Sequence, residues 1–152
     1  MGADSIWGLV ARYVLPRVSK GEAAPALRLR DLDGKTVDLA EMRGRRTLLT
    51  FWNPSCGFCR NMLPELKKWE QTPLNGGPRL LLLSSGSVEA NREQGFRSPV
   101  LLDQALSAMH VFGANGTPSA VMLDEEGRVA SGVEVGADAV LALAGVVRLA
   151  VR

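Results

Sequence analysis

The stretch LLTFWNPSCGFCRNMLPELKKW constrains the fold more than any other part of this 152-residue chain. Leu48–Trp52 is a continuous apolar run of strand length, which predicts a buried central strand. After Asn53-Pro54 the pattern changes. Met62, Leu63, Leu66 and Trp69 recur at helical spacing and predict a helix from Gly57 to about Gln71. Pro64 falls inside that helix and is expected to kink it, because proline lacks the N–H and crowds the preceding turn. At the junction stand Cys56 and Cys59, the only two cysteines in the chain.

The rest of the pattern extends this unit on both sides. In Ala26–Leu39 apolar residues alternate at Leu27 and Leu29, then at Val37 and Leu39, around Asp33-Gly34, which is a hairpin signal. Asn75–Pro78 reads as a loop and Arg79–Ser84 as a second buried strand. A helix is expected over Val88–Phe96, a short strand over Val100–Leu102 and a short helix over Ala105–Phe112. Ser119–Leu123 reads as a strand, Asp124–Gly127 as a turn and Arg128–Val135 as the partner strand. An apolar-faced helix over Ala137–Val151 closes the domain. Strands alternating with helices, followed by a hairpin, predict an α/β fold with a mixed central sheet flanked by helices.

Two cysteines this close form too small a loop to staple a fold effectively, since the entropy removed from the unfolded chain grows with loop length. Their position points to reactivity. The first turn of a helix carries unpaired N–H groups and partial positive charge, which favour a thiolate. Cys56 is therefore the expected nucleophile, with a lowered pKa. Cys59, one turn further in, is expected to resolve the mixed disulfide that Cys56 forms. Two free core cysteines that do not react are one further reading of the residues, and two functional alternatives stay open. A metal-binding or metallochaperone module would use the same sulfurs, although a closed zinc site needs four ligands and His110 is the only histidine. A thiol peroxidase is the other.

A net charge of +2, from 18 basic and 16 acidic side chains, predicts no nucleic-acid partner. The one basic run, Arg43-Gly44-Arg45-Arg46, reads as a solvated turn. Ile6–Leu15 is apolar but short and interrupted by Arg12, without the features of a complete signal peptide. Its expected role is the stub of a membrane anchor or tether, preferred over an amphipathic segment or a helix that docks on the domain. Pro16–Pro25 reads as a linker. The division expected is an N-terminal segment over residues 1–22 and one folded domain over 23–152.

FWNPSCGFC, with Pro64 five residues past Cys59, resembles the active-site strand and kinked helix of the thioredoxin superfamily. Gly116-Thr117-Pro118 resembles its cis-proline loop, and APALRLRDLDGKTVDLAEMRGRRTLLTFW the opening of the TlpA/ResA-type redoxins, relatives of the AhpC/TSA group. Met62 and SGSVEANREQGF are similar to the MauD type. The resemblance implies a thioredoxin-like fold with an N-terminal hairpin and an inserted strand and helix. It implies a thiol-disulfide oxidoreductase acting on protein thiols and disulfides, served by an upstream redox partner. No cofactor is implied beyond a Cys56–Cys59 disulfide, and no metal. Trp52, Phe58, Thr117 and Pro118 are the expected substrate-binding residues, with Pro118 cis. An extracytoplasmic, periplasmic and membrane-tethered setting follows from the same resemblance.

The chain also departs from the pattern. Thioredoxin has a buried Asp six residues before its first cysteine, where this chain has Thr50. TlpA/ResA-type proteins carry a Glu three residues after the second cysteine, where this chain has Met62. Glu65 and Glu89 are candidate replacements, and otherwise the Thr50 hydroxyl or water would assist proton movement. Pro54, two residues before Cys56, does not supply the pocket of a peroxidatic cysteine.

Overall fold

The computed structural model describes residues 17–71 and 77–146. The hairpin is strands β1 (Arg28–Asp31) and β2 (Thr36–Asp38), paired antiparallel with Leu29 opposite Val37. A single 3₁₀ turn, Leu39–Glu41, follows. Then come β3 (Thr47–Trp52), α1 (Gly57–Gln71), β4 (Arg79–Ser84) and α2 (Val88–Glu93). The chain continues through β5 (Val100–Leu102), α3 (Ser107–Phe112), β6 (Ser119–Leu123), β7 (Glu134–Val135) and α4 (Ala137–Leu143).

The strands form one mixed sheet in the order β2-β1-β5-β4-β3-β6-β7. β3, β4 and β5 run parallel, while β1 and β6 pair antiparallel to their neighbours. Every residue of β3 is buried, as its apolar run requires in a strand covered on both faces. Side chains alternate across the sheet. Leu48, Trp52, Leu80, Leu82, Ala120 and Met122 pack on one side with Cys59, Met62, Leu66 and Trp69 of α1 and with Val140 and Leu141 of α4. Leu49, Phe51, Leu81, Leu83, Val121 and Leu123 pack on the other side with Ala108 and Phe112 of α3 and with Leu39.

Because β3, β4 and β5 point the same way, their C-terminal ends meet at one edge of the sheet. That edge carries the cysteines. The opposite edge holds the starts of the three strands and the last turn of α1.

Four expected elements are shorter in the structure. The helix after β4 ends at Glu93, because Gly95 turns the chain out with φ of 72°. The helix before Phe112 starts at Ser107, where the buried Asp103 carboxylate accepts the N–H groups of Ser107 and Ala108. The expected strand over Arg128–Val135 is broken. Val129 bridges Leu123, but the Met122 N–H then bonds to the Ser131 hydroxyl and regular pairing resumes only at Glu134–Val135. The closing helix stops at Leu143, since Gly145 at φ 90° caps it in the left-handed conformation glycine adopts freely. The rest of its expected length, residues 147–151, lies outside the described residues, as do residues 1–16 and 72–76 of the expected tether, linker and loop.

Part of the stretch read as a linker is docked on the domain. Val18 N–H bonds the Val111 carbonyl, Gly21 N–H the Val129 carbonyl and Ala24 N–H the Gly127 carbonyl. Ala24 is buried. Backbone groups satisfied in this way hold residues 18–24 against α3 and the segment that follows β6.

Candidate active site

The site is built where β3 hands over to α1. Asn53 shapes the turn, accepting the Ser55 N–H on its side chain and the Cys56 N–H on its carbonyl. Pro54 is buried and faces Gly86, beyond the end of β4. The Cys56 carbonyl accepts the Arg60 N–H at 3.0 Å, so Cys56 stands at the cap position of α1. Its sulfur lies where the first free N–H groups of the helix point.

The loop before β6 closes the site from the other side. The Thr117–Pro118 peptide is cis. Ser119 Oγ donates to the Gly116 carbonyl at 2.7 Å, and the Pro118 carbonyl accepts the Gly136 N–H at 2.9 Å. This brings the Thr117 carbonyl to 3.4 Å from Cys56 Sγ. The structure thus places Cys56, Cys59, Thr117 and Pro118 together at one edge.

The two sulfurs differ in environment. Cys56 is half-buried, whereas Cys59 is 0% exposed. Burial by itself raises the Cys56 thiol. Hydrogen bonds from the Thr117 side chain, from the backbone of Cys59 and Phe58 and from the Cys59 thiol outweigh it and hold Cys56 below the ordinary cysteine value of 9.0. As a thiol, Cys56 instead donates to the Thr117 carbonyl. Cys59 goes the other way. Burial raises its pKa most, the neighbouring Cys56 adds to the rise, and hydrogen bonds with Asn53 and Thr117 recover only part, leaving it pushed up to about 12. A charged sulfur is disfavoured where water is excluded and favoured where donors converge.

Among the expected substrate-binding residues, Phe58 stands out into solvent at 73% exposed. Trp52 requires a correction. It is 2% exposed, donates Nε1–H to Gln94 Oε1 at 2.9 Å and meets Phe96 edge-on at 5.4 Å. A residue so covered supports the site from beneath and presents no face to a substrate. The reason is strand alternation, which turns Trp52 inward with Leu48 beneath α1.

The carboxylate positions are also settled by placement. Met62 is buried in the same cluster as Cys59. Glu65 and Glu89 are both exposed, so neither replaces a buried base. Thr50 is fully buried and alternates with Leu48 and Trp52 on the face that α1 covers. Its hydroxyl has no hydrogen-bond partner among the described residues. His110 is exposed on α3, which packs on the far face of the sheet. Among the described residues no group of three or more His, Cys, Asp or Glu side chains is arranged to hold a metal.

Sequence reasoning missed Gln94, which anchors the Trp52 indole. It also missed Asn91, which is buried and bonded to Ser84 Oγ and to the Ser85 and Ser87 carbonyls at the end of β4. Both lie in the segment expected as a helix over Val88–Phe96, and polar side chains leave no mark on an apolar pattern.

Fold and site together define a thioredoxin-like protein with a strand-to-helix dithiol and a facing cis-proline loop, of the TlpA/ResA type. The Redoxin family pattern matches residues 19–140, and the chain belongs to that family. The thiol-disulfide oxidoreductase ResA of Halalkalibacterium halodurans is 24% identical over 114 residues, covering 72% of this chain and 65% of that protein. The chain therefore spans about two thirds of that relative's length. Among solved structures, the thioredoxin domain of a thiol-disulfide oxidoreductase from Bacteroides vulgatus superposes with a TM-score of 0.65 at 23% identity, covering 83% of this chain and 95% of that one. A secreted Mycobacterium tuberculosis disulfide oxidoreductase superposes with a TM-score of 0.64 at 20% identity, covering 79% and 92%.

Proposed function

We propose that this chain is a thiol-disulfide oxidoreductase acting on protein cysteines, with Cys56 as nucleophile and Cys59 as resolving thiol. The observation that carries the reading is the division of the pair into an accessible sulfur held below 9.0 and a buried one raised to about 12. Such a pair has one member ready to attack and one kept in reserve.

In the reducing direction the Cys56 thiolate attacks a substrate disulfide. A bond forms between Cys56 Sγ and one substrate sulfur while the substrate S–S bond breaks, and the other substrate sulfur leaves as a thiolate. Cys59 then loses its proton and attacks Cys56 Sγ, which releases the second substrate thiolate and leaves a Cys56–Cys59 disulfide. Two electrons have moved to the substrate, and a partner dithiol returns them. In the oxidising direction each step reverses. The electrons reside in the two sulfurs, so the reaction calls for no further cofactor.

The protein surface around Cys56 supports a protein substrate. Among the described residues the large exposed hydrophobics are Phe58, Leu106 and Val135. Phe58 lies between the cysteines. Val135 pairs with Ser119, next to Pro118. Leu106 follows β5, whose end meets the end of β4 through the Asp103 N–H to Ser84 carbonyl bond. All three rim the same edge of the sheet, as an extended or unfolded apolar segment would require. Thr117 and Pro118 are the backbone such a segment would pair with.

An extracytoplasmic setting with a tether through residues 1–22 is part of the proposal. It is supported by the resemblance to TlpA/ResA-type redoxins and by the secreted mycobacterial neighbour. Among the described residues no helix is long and apolar enough to cross a membrane, and the apolar part of the proposed tether, Ile6–Leu15, lies outside them.

The test is insulin reduction with dithiothreitol as donor. The parent chain should accelerate it, and Cys56→Ser and Cys59→Ser should each abolish turnover. An unchanged rate in Cys56→Ser would overturn the reading. Stoichiometric metal uptake by the reduced chain, or rapid peroxide consumption with thiols, would replace it with one of the two alternatives.

A further inference from the structure

Asn115-Gly116 is the only Asn-Gly step among the described residues, and it directly precedes the Thr117–Pro118 peptide. Asparagine followed by glycine has a reaction of its own. The backbone nitrogen of the glycine can reach the side-chain amide of the asparagine, because glycine has no Cβ to hold it away.

The loop leaves both reacting groups free. Asn115 is exposed. Among the described residues neither its side-chain amide nor the Gly116 N–H takes part in a hydrogen bond. Gly116 is unhindered as well. Its backbone is not left-handed, and a Cβ added there would meet nothing within 4 Å. Neither conformation nor space calls for glycine at this position, so Gly116→Ala alters the chemistry and leaves the loop in place.

The chain on either side of the pair is anchored. Ala114 is buried and donates its N–H to the Met109 carbonyl at 2.8 Å. The Gly116 carbonyl accepts Ser119 Oγ at 2.7 Å, and the Pro118 carbonyl accepts the Gly136 N–H at 2.9 Å. Within the second anchor lies Thr117, whose carbonyl is 3.4 Å from Cys56 Sγ.

We infer that Asn115-Gly116 is a site of spontaneous deamidation, and that the isoaspartyl link formed there detaches Thr117 from Cys56. The Gly116 nitrogen attacks Asn115 Cγ. A C–N bond forms, ammonia leaves, and a five-membered succinimide results. Water then opens the ring. Attack at the side-chain carbonyl gives aspartate, and attack at the main-chain carbonyl gives the isoaspartyl link. Water is the only co-reactant, and no atom is oxidised or reduced.

The isoaspartyl link adds one carbon to the main chain, about 1.5 Å of path, between the two anchors. Ala114 is buried, whereas Gly116 and Thr117 are half-buried, so the added length is taken up on the Thr117 side. Cys56 then loses the Thr117 hydrogen bond that favours its thiolate. The modification does not depend on the redox reading, and its effect is read on the thiol alone.

The test is incubation of the folded full chain in warm, mildly alkaline buffer, followed by trypsin and mass spectrometry. The fragment from Ser98 to Arg128 holds Asn115 as its one asparagine, and Asn75-Gly76 falls in a different fragment. The Ser98–Arg128 fragment should gain the mass of an amide-to-acid exchange, with an isoaspartyl form resolved by electron-transfer fragmentation. Gly116→Ala should slow the gain severalfold. The isoaspartyl chain, separated by ion exchange, should alkylate at Cys56 severalfold more slowly at neutral pH. Asn115→Asp carries the charge on an ordinary backbone and should stay within about twofold of the parent, since an exposed charge is screened. No mass gain in the folded chain would overturn the inference, as would an equal gain in Gly116→Ala. An isoaspartyl chain that alkylates like the parent would overturn the link to Cys56.

Discussion

The sulfur of Cys56 lies 3.4 Å from the carbonyl oxygen of Thr117, a residue 61 positions further along the chain. That contact ties the start of α1 to the cis-proline loop. It places the nucleophile beside a backbone group in the loop that carries Pro118. The thiol form has an acceptor there, and the thiolate form has donors from Thr117 and from the first turn of the helix.

Cys56 should therefore be the faster thiol to alkylate. With iodoacetamide, its rate should reach its plateau at a lower pH than an ordinary cysteine, since the thiolate is the reacting form. Thr117→Val removes the hydroxyl and should move that profile toward higher pH and slow the reaction at neutrality. Mass spectrometry of the modified peptide separates Cys56 from Cys59. An identical profile in Thr117→Val would show that the hydroxyl does not act on the sulfur.

Cys59 should make the reduced protein sensitive to alkali. Its pKa is raised to about 12 in the folded chain, so the folded state keeps a proton that the unfolded state releases near the ordinary value. The stabilisation is fully present below about pH 9 and is lost as pH rises towards about 12, with a slope of at most about 1.4 kcal/mol per pH unit. Urea titrations of the reduced chain from neutral to alkaline pH measure this. Cys59→Ala should flatten the slope over that window, whatever it does to stability at neutrality.

Phe58→Ser should leave the fold alone. A side chain 73% exposed contributes little, and the change in stability should stay within about 0.5 kcal/mol. The KM for insulin should rise while the rate with a small aromatic disulfide stays unchanged, because only the larger substrate reaches the rim. Equal effects on both substrates would mean that Phe58 acts on the cysteines and not on the substrate.

Trp52→Phe tests the opposite assignment. It deletes the Nε1–H bond to Gln94 and part of a buried ring, which should cost about 1–3 kcal/mol. The kcat/KM for insulin, measured where the variant is folded, should stay within about twofold. A rise in KM with stability intact would return Trp52 to the substrate surface.

Thr50→Val should stabilise the chain by about 1 kcal/mol, because it replaces a buried hydroxyl lacking a partner among the described residues with an isosteric apolar group. Chemical denaturation measures that. Turnover of the same variant tells whether the hydroxyl also helps the Cys59 proton leave. Slower resolution with unchanged alkylation of Cys56 would assign it that role.

The sequence by itself determined the elements whose signal is local. The apolar runs over Leu48–Trp52, Arg79–Ser84 and Ser119–Leu123, and the helical spacing after Cys59, mark buried strands and the first helix, because burial on two faces or on one stripe leaves a periodic trace in the chain. The strand-to-helix position of Cys56 and Cys59 was legible for the same reason. Where hydrogen bonds rather than apolar spacing end an element, as at Asp103, Ser131 and Gly145, the sequence pattern ran on too far. Pro118 came into view only through the resemblance to a known motif.

What only the tertiary structure decided are relations between segments far apart in sequence. Which face of β3 carries Trp52, how deeply Cys59 is covered and what meets Cys56 across the loop depend on how α1, α4 and the sheet pack together. Desolvation and converging hydrogen bonds set the reactivity of a sulfur or a guanidinium, and both are properties of an assembled neighbourhood, which no single stretch of the chain contains.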